Sequence, residues 1–64
     1  MTLAIGSNVR TLVDLLTEDG SIVPIGSRGV VVGLRDQQLV VDFDGDFAGL
    51  TAVCDVWELW QVPA

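Results

Sequence analysis

The sequence predicts an all-β domain without a long helix, and three observations carry that expectation. Glycine and proline punctuate the whole chain, from Gly6 through Gly20, Pro24, Gly26, Gly29, Gly33, Gly45 and Gly49 to Pro63, which leaves no uninterrupted stretch for a packed helix. The gaps between them are rich in β-branched residues, which favour pleated strands. Two apolar runs, Val30–Leu34 and Leu39–Phe43, flank the polar segment Arg35-Asp36-Gln37-Gln38, a hairpin pattern.

Each element follows in order. Val9–Val13 reads as a first strand after Gly6-Ser7, although Leu12, Leu15 and Leu16 also fit a helical period. Thr17-Glu18-Asp19-Gly20-Ser21 is a turn cluster. Ile22-Val23-Pro24-Ile25-Gly26 is an extended arm, because Pro24 holds its predecessor out of the helical region. Gly26-Ser27-Arg28-Gly29 lacks the lysine and following helix of a phosphate-binding loop, and reads as a tight turn opening the hairpin.

In the hairpin, a four-residue loop pairs Leu34 with Leu39, Val32 with Val41 and Val30 with Phe43. Directly opposed residues share a face, so these six side chains form the expected core face. Val31, Gly33, Arg35, Gln38, Val40 and Asp42 take the other face, with Val31 and Val40 as its apolar centre. Asp44-Gly45-Asp46 is a second turn. Leu50–Cys54 is a strand with Leu50, Ala52 and Cys54 on one side and Thr51 and Val53 on the other. Asp55–Leu59 suits one 3₁₀ turn, with Asp55 as cap and Glu58 at the capping-box position. Trp60-Gln61-Val62 closes as a short edge strand ended by Pro63. The count is five strands in a single domain spanning 1–64.

Composition limits the functions available. A chain of 64 residues buries only about 60% of its unfolded surface, so it needs an efficient core or association with another chain. Cys54 is the only cysteine and histidine is absent, which leaves no internal disulfide and no adequate zinc ligand set. Half of the residues are hydrophobic (50%), more apolar side chain than one small core consumes. The apolar runs fall far short of the roughly 20 residues of a membrane span. No basic segment followed by an apolar one marks an export signal, so the cytoplasm is the expected compartment. Net charge is −6, with Arg10, Arg28 and Arg35 as the only cations. Phosphate backbones and anionic membranes require clustered lysine and arginine, so neither is an expected partner.

The residues themselves suggest binding and not catalysis. With no histidine, lysine or tyrosine, Cys54 and the serines have only carboxylates as bases, and Cys54 falls at an inward-phased position. No enzymatic activity and no cofactor are expected. Asp42, Asp44 and Asp46 alternate like the start of a calcium loop, but the positions that need glycine and a bidentate acid hold Phe47 and Val53. A solvated acidic turn is the simpler reading, with a weak cation site or a charged contact as the alternative. Trp57 and Trp60 either seal the open end of the sheet or anchor an interface, and Phe47 is a further anchor candidate. The candidate protein contacts are therefore Trp57, Trp60, Phe47, Val31, Val40, Asp42, Asp44 and Asp46.

Four phrases carry a family resemblance: Gly6-Ser7-Asn8-Val9-Arg10, Gly26-Ser27-Arg28-Gly29-Val30-Val31, Leu39-Val40-Val41-Asp42-Phe43 and Glu58-Leu59-Trp60-Gln61-Val62. Over about positions 5–63 the chain resembles SH3-like small barrels. These include the small barrel subunit of photosystem I, the variable subunit of ferredoxin–thioredoxin reductase and nitrogen-fixation accessory barrels. The resemblance implies a five-stranded barrel with a long first loop and a single 3₁₀ turn before the last strand, serving as a docking or stabilising module. The chain lacks the tyrosines of proline-rich-peptide binders. It is also similar, in pattern and sign of charge, to acidic SH3-like antirepressors that engage a DNA-binding protein. The expected partner is thus another protein or further copies of this chain, with an acidic regulator of a basic protein as the alternative.

Overall fold

A computed structural model describes residues 3–63. Its central element is the hairpin of β4 (Arg28–Arg35) and β5 (Gln38–Phe43). The turn is tighter than the sequence suggests: only Asp36 and Gln37 are unpaired, with φ of 49° and 69°. Positive φ at both central residues is what a type I′ turn requires, and its twist matches that of the flanking strands. Arg35 pairs with Gln38 and Leu34 with Leu39, as the even loop implies.

The register then changes. A bulge between Val31 and Gly33 inserts one residue, so Val31 pairs with Val41, Val30 with Asp42 and Gly29 with Phe43. One extra residue exchanges the two faces of a strand. Val31 is therefore fully buried against the core, while Val32 is 47% exposed and Val30 is half-buried on the outer side. The expected pairings of Val32 with Val41 and Val30 with Phe43 are corrected accordingly, and Val31 is a core residue and not a surface contact. Leu34 keeps its pairing with Leu39 but lies beyond the core at the hairpin tip, and is exposed.

Gly29 makes the shifted register possible. A Cβ there would stand 2.7 Å from Val41 Cγ1 and 2.8 Å from the Asp42 carbonyl oxygen, so β4 approaches β5 too closely for any side chain.

Around this hairpin lie β1 (Asn8–Thr11), β6 (Thr51–Cys54) and β7 (Leu59–Gln61), in the order β6-β5-β4-β1-β7. All neighbouring strands are antiparallel. β6 and β7 stand at opposite ends of the sheet and do not pair, so its hydrogen bonding does not close into a ring. The first strand ends at Thr11, short of Val13, and no helix forms over Leu12–Leu16. Instead β2 (Leu15–Leu16) pairs with β3 (Ile22–Val23), giving the extended arm a partner. The segments that lead into β2 and out of β3 are pinned to each other. Asp14 Oδ1 accepts the Ile25 N–H at 2.7 Å. Buried Thr11 donates its hydroxyl to the Pro24 carbonyl at 3.2 Å and accepts the Ser27 N–H at 3.1 Å. Gly26 turns the chain at φ +88°.

Every strand contributes to one core: Val9, Leu15, Val23, Val31, then Leu39, Val41 and Phe43, then Ala52 and Cys54, and finally Leu59. Ala52 and Cys54 face inward as expected. One 3₁₀ turn covers Gly45–Phe47, at the expected acidic turn. A second covers Val56–Glu58, directly before the last strand, and Glu58 Oε1 accepts the Asp55 N–H at 2.8 Å, the reach that the capping-box spacing implies.

Gly29→Ala is expected to destabilise the fold by about 1–3 kcal/mol through overpacking, whereas Gly33→Ala, whose Cβ would meet only Val40 at 3.8 Å, should cost less. Thermal melts of both variants check the contrast. Gln37→Gly relieves a left-handed residue in the turn and should stabilise the fold by about 1 kcal/mol, read as a higher urea midpoint.

Candidate interaction surface

β7 carries Trp60 at its centre and follows the 3₁₀ turn that holds Trp57, and strand alternation turns Trp60 away from the core. Leu59 points in and Trp60 points out, 61% exposed; Trp57 sits in the 3₁₀ turn, no residue of which is buried, and is 67% exposed. Neither tryptophan seals the sheet, because Leu59 already fills the interior beneath them. Val56 and Trp60 line an open hollow of about 210 Å³ together with Leu3, Leu59 and Gln61. Leu12, which bonds through its N–H to the Glu58 carbonyl, is exposed diagonally across from Trp60. The apolar corner beside β7 is thus the hollow shared by Val56 and Trp60, with exposed Trp57 in the same 3₁₀ turn as Val56 and exposed Leu12 bonded to the end of that turn.

The other sequence candidates are dispersed. Phe47 packs against the core and is half-buried. Val31 is wholly buried. Val40 is half-buried and pairs with Val53; these two valines, with Val30 and Val32, form the apolar centre of the outer sheet face, so Val40 keeps its expected place there and Val31 does not. Asp42, Asp44 and Asp46 are all exposed. Among the described residues, no three acidic or cysteine side chains gather closely enough to hold a metal ion.

An arrangement that sequence reading missed lies on the same outer face. Trp60 pairs with Arg10, and Arg10 with Arg28. The Asp44 N–H bonds the Arg28 carbonyl at 3.2 Å, placing Asp44 at the end of the row. Residues 10, 28, 44 and 60 are brought together only by strand pairing, so no local pattern marks them. Arg35, by contrast, is bound to Glu18 at 3.1 Å. The exposed pair Leu16 and Ile22, directly opposed in β2 and β3, was likewise invisible as a pair.

Two titratable groups have defined environments. The Thr17 hydroxyl donates to the Asp19 carboxylate and the Ser21 N–H adds a bond at 3.1 Å, so Asp19 is held below its ordinary pKa. Burial, with lesser help from the Glu58 and Asp55 carboxylates, pushes the Cys54 thiol up to about 11, and its Sγ donates weakly to the Leu39 carbonyl at 3.8 Å. A protonated, buried thiol is a poor nucleophile.

Cys54 should therefore resist a thiol reagent in the native protein and react fully on unfolding. Because its folded pKa lies above the ordinary thiol value of 9.0, its stabilising contribution is complete below pH 9.0 and is lost as pH rises toward about 11; alkaline melts measure the decline. Comparison with protein-family models, with curated proteins and with solved structures finds no match to this chain.

Proposed function

We propose that the chain is a non-catalytic protein-binding module of the SH3-like small-barrel kind, docking through the apolar corner beside β7. The observation that carries this reading is the double exposure of Trp57 and Trp60, with exposed Val56 sharing a hollow with Trp60 and exposed Leu12 bonded to the same turn. Exposed tryptophans lose little entropy on binding and supply large contact areas, which is why they anchor interfaces. A small domain that leaves them in water forgoes burial it needs, and a partner would supply it. The run of short strands with a 3₁₀ turn immediately before the last one supports the small-barrel assignment. The buried, protonated state of Cys54 supports a role other than nucleophilic catalysis.

An acidic regulator of a basic protein is the second reading, favoured by the exposure of Asp42, Asp44 and Asp46 within one turn and its flanks. The two readings part on the acidic turn: binding through it weakens steeply with ionic strength and is lost when Asp42 and Asp46 are neutralised, whereas docking at the apolar corner survives that neutralisation.

Trp57→Ser and Trp60→Ser should each weaken association by about 2 kcal/mol, read by sedimentation of the chain alone and by capture of partners from its host. The β-rich circular dichroism should be unchanged, since neither side chain is in the core. Association unaffected by the double variant would sink the docking reading.

A further inference from the structure

We infer that the outer face of β7, β1 and β4 is built to hold a carboxylate-bearing segment of the partner, with Arg10 and Arg28 binding the acid and Trp60 its apolar neighbour. The inference rests on the docking reading and adds the chemistry of the occupant.

Arg10 and Arg28 are directly opposed across β1 and β4. The flanking backbone bonds, Thr11 N–H to Ser27 and Val31 N–H to Ser7, alternate so that Arg10 and Arg28 fall at a non-hydrogen-bonded position. That is the closer of the two pair types, with Cα atoms about 4.5 Å apart. Like charges so placed are destabilising. The chain has nine acidic residues for three arginines, ample to pair each cation. Yet the ion pair found among the described residues is that of Arg35 with Glu18. Asp44 stands across from Arg28 without a salt bridge to it, and Arg10 lies between Arg28 and Trp60. Two of the three cations of an acidic protein are thus held side by side, at the cost of mutual repulsion.

The ground beside them is recessed. Asn8, Arg28, Asp44, Val62 and Pro63 contribute to a hollow of about 240 Å³. It adjoins a larger groove of about 460 Å³ along Ile5–Asn8 and Gln61–Pro63. A carboxylate set over Arg10 and Arg28 accepts fork-shaped hydrogen bonds from planar guanidinium groups and cancels their repulsion. An apolar residue beside it covers Trp60. A second copy of this chain suits the site poorly, because two bodies of charge −6 repel each other.

The test is titration of the ¹⁵N-labelled chain with a capped peptide of alternating glutamate and leucine, and with its glutamine–leucine counterpart. The glutamate peptide should give saturable shifts at the Arg10 and Arg28 amides and the Trp60 indole N–H. Replacing its glutamates by glutamine, or using Arg10→Gln or Arg28→Gln protein, should weaken binding about tenfold or more. Both arginines are exposed, and the amide spectrum reports whether each variant keeps the fold. Equal binding of the two peptides, the absence of saturable shifts, or displacement of the peptide by equimolar inorganic phosphate would overturn the inference. If the glutamate peptide fails while the tryptophan variants still lose association, only the occupant's chemistry is wrong. If it binds and the tryptophan variants associate normally, the docking reading fails instead.

Discussion

The close approach of β4 to β5 at Gly29 governs the rest of the structure. With no side chain there, Val41 and Phe43 lie against the strand backbone, and the bulge after Val31 restores pairing with the hairpin end. The bulge decides which half of β4 is greasy inside. Because β1 pairs with the same strand, and β7 with β1, the choice propagates across three strands. Val31, Val9 and Leu59 turn inward together, and Arg28, Arg10 and Trp60 turn outward together.

A core assembled in this way is complete but small. It takes one to three side chains from each strand, valine and leucine above all. The remaining large hydrophobic residues have nowhere to go: a shell one strand thick has nearly as much outside as inside. The residues left outside are grouped. Leu16 faces Ile22, exposed Val32 lies beside half-buried Val30, Val40 and Val53, and Trp60 shares a hollow with Val56 next to the turn that holds Trp57. Clustered exposure of this kind marks surfaces made to be covered, which is the physical basis of the proposed docking role.

Charge is distributed to match. Most acids lie in turns, where they are solvated or bond backbone N–H groups, Asp19 within its own turn and Asp14 across to Ile25. Arg35 is tied to Glu18, joining the hairpin tip to the turn between β2 and β3. Arg10 and Arg28 alone form a positive spot on the outer sheet, next to an aromatic surface. An otherwise acidic protein thereby has one place with the opposite preference.

The sequence by itself determined the class of structure and the places of its turns, because those depend on neighbours along the chain. Gly26, the Thr17–Ser21 cluster and the Asp55–Glu58 capping pattern act within a few residues. Period-two alternation placed Ala52 and Cys54 inward, and the even spacing from Leu34 to Leu39 set the hairpin tip. Tertiary structure alone decided the register beyond Val32, since a bulge is selected by how Gly29, Val41 and Phe43 pack and not by alternation. It alone decided that Leu15 and Leu16 form a strand, since their helical spacing was overruled by pairing with Ile22 and Val23. The tryptophans, whose aromatic bulk fits interior and interface equally well, were assigned to the surface only once Leu59 filled the space below. The row of Trp60, Arg10 and Arg28 had no sequence signature at all: its members lie 18 and 50 residues apart in the chain, and backbone pairing is what makes them neighbours.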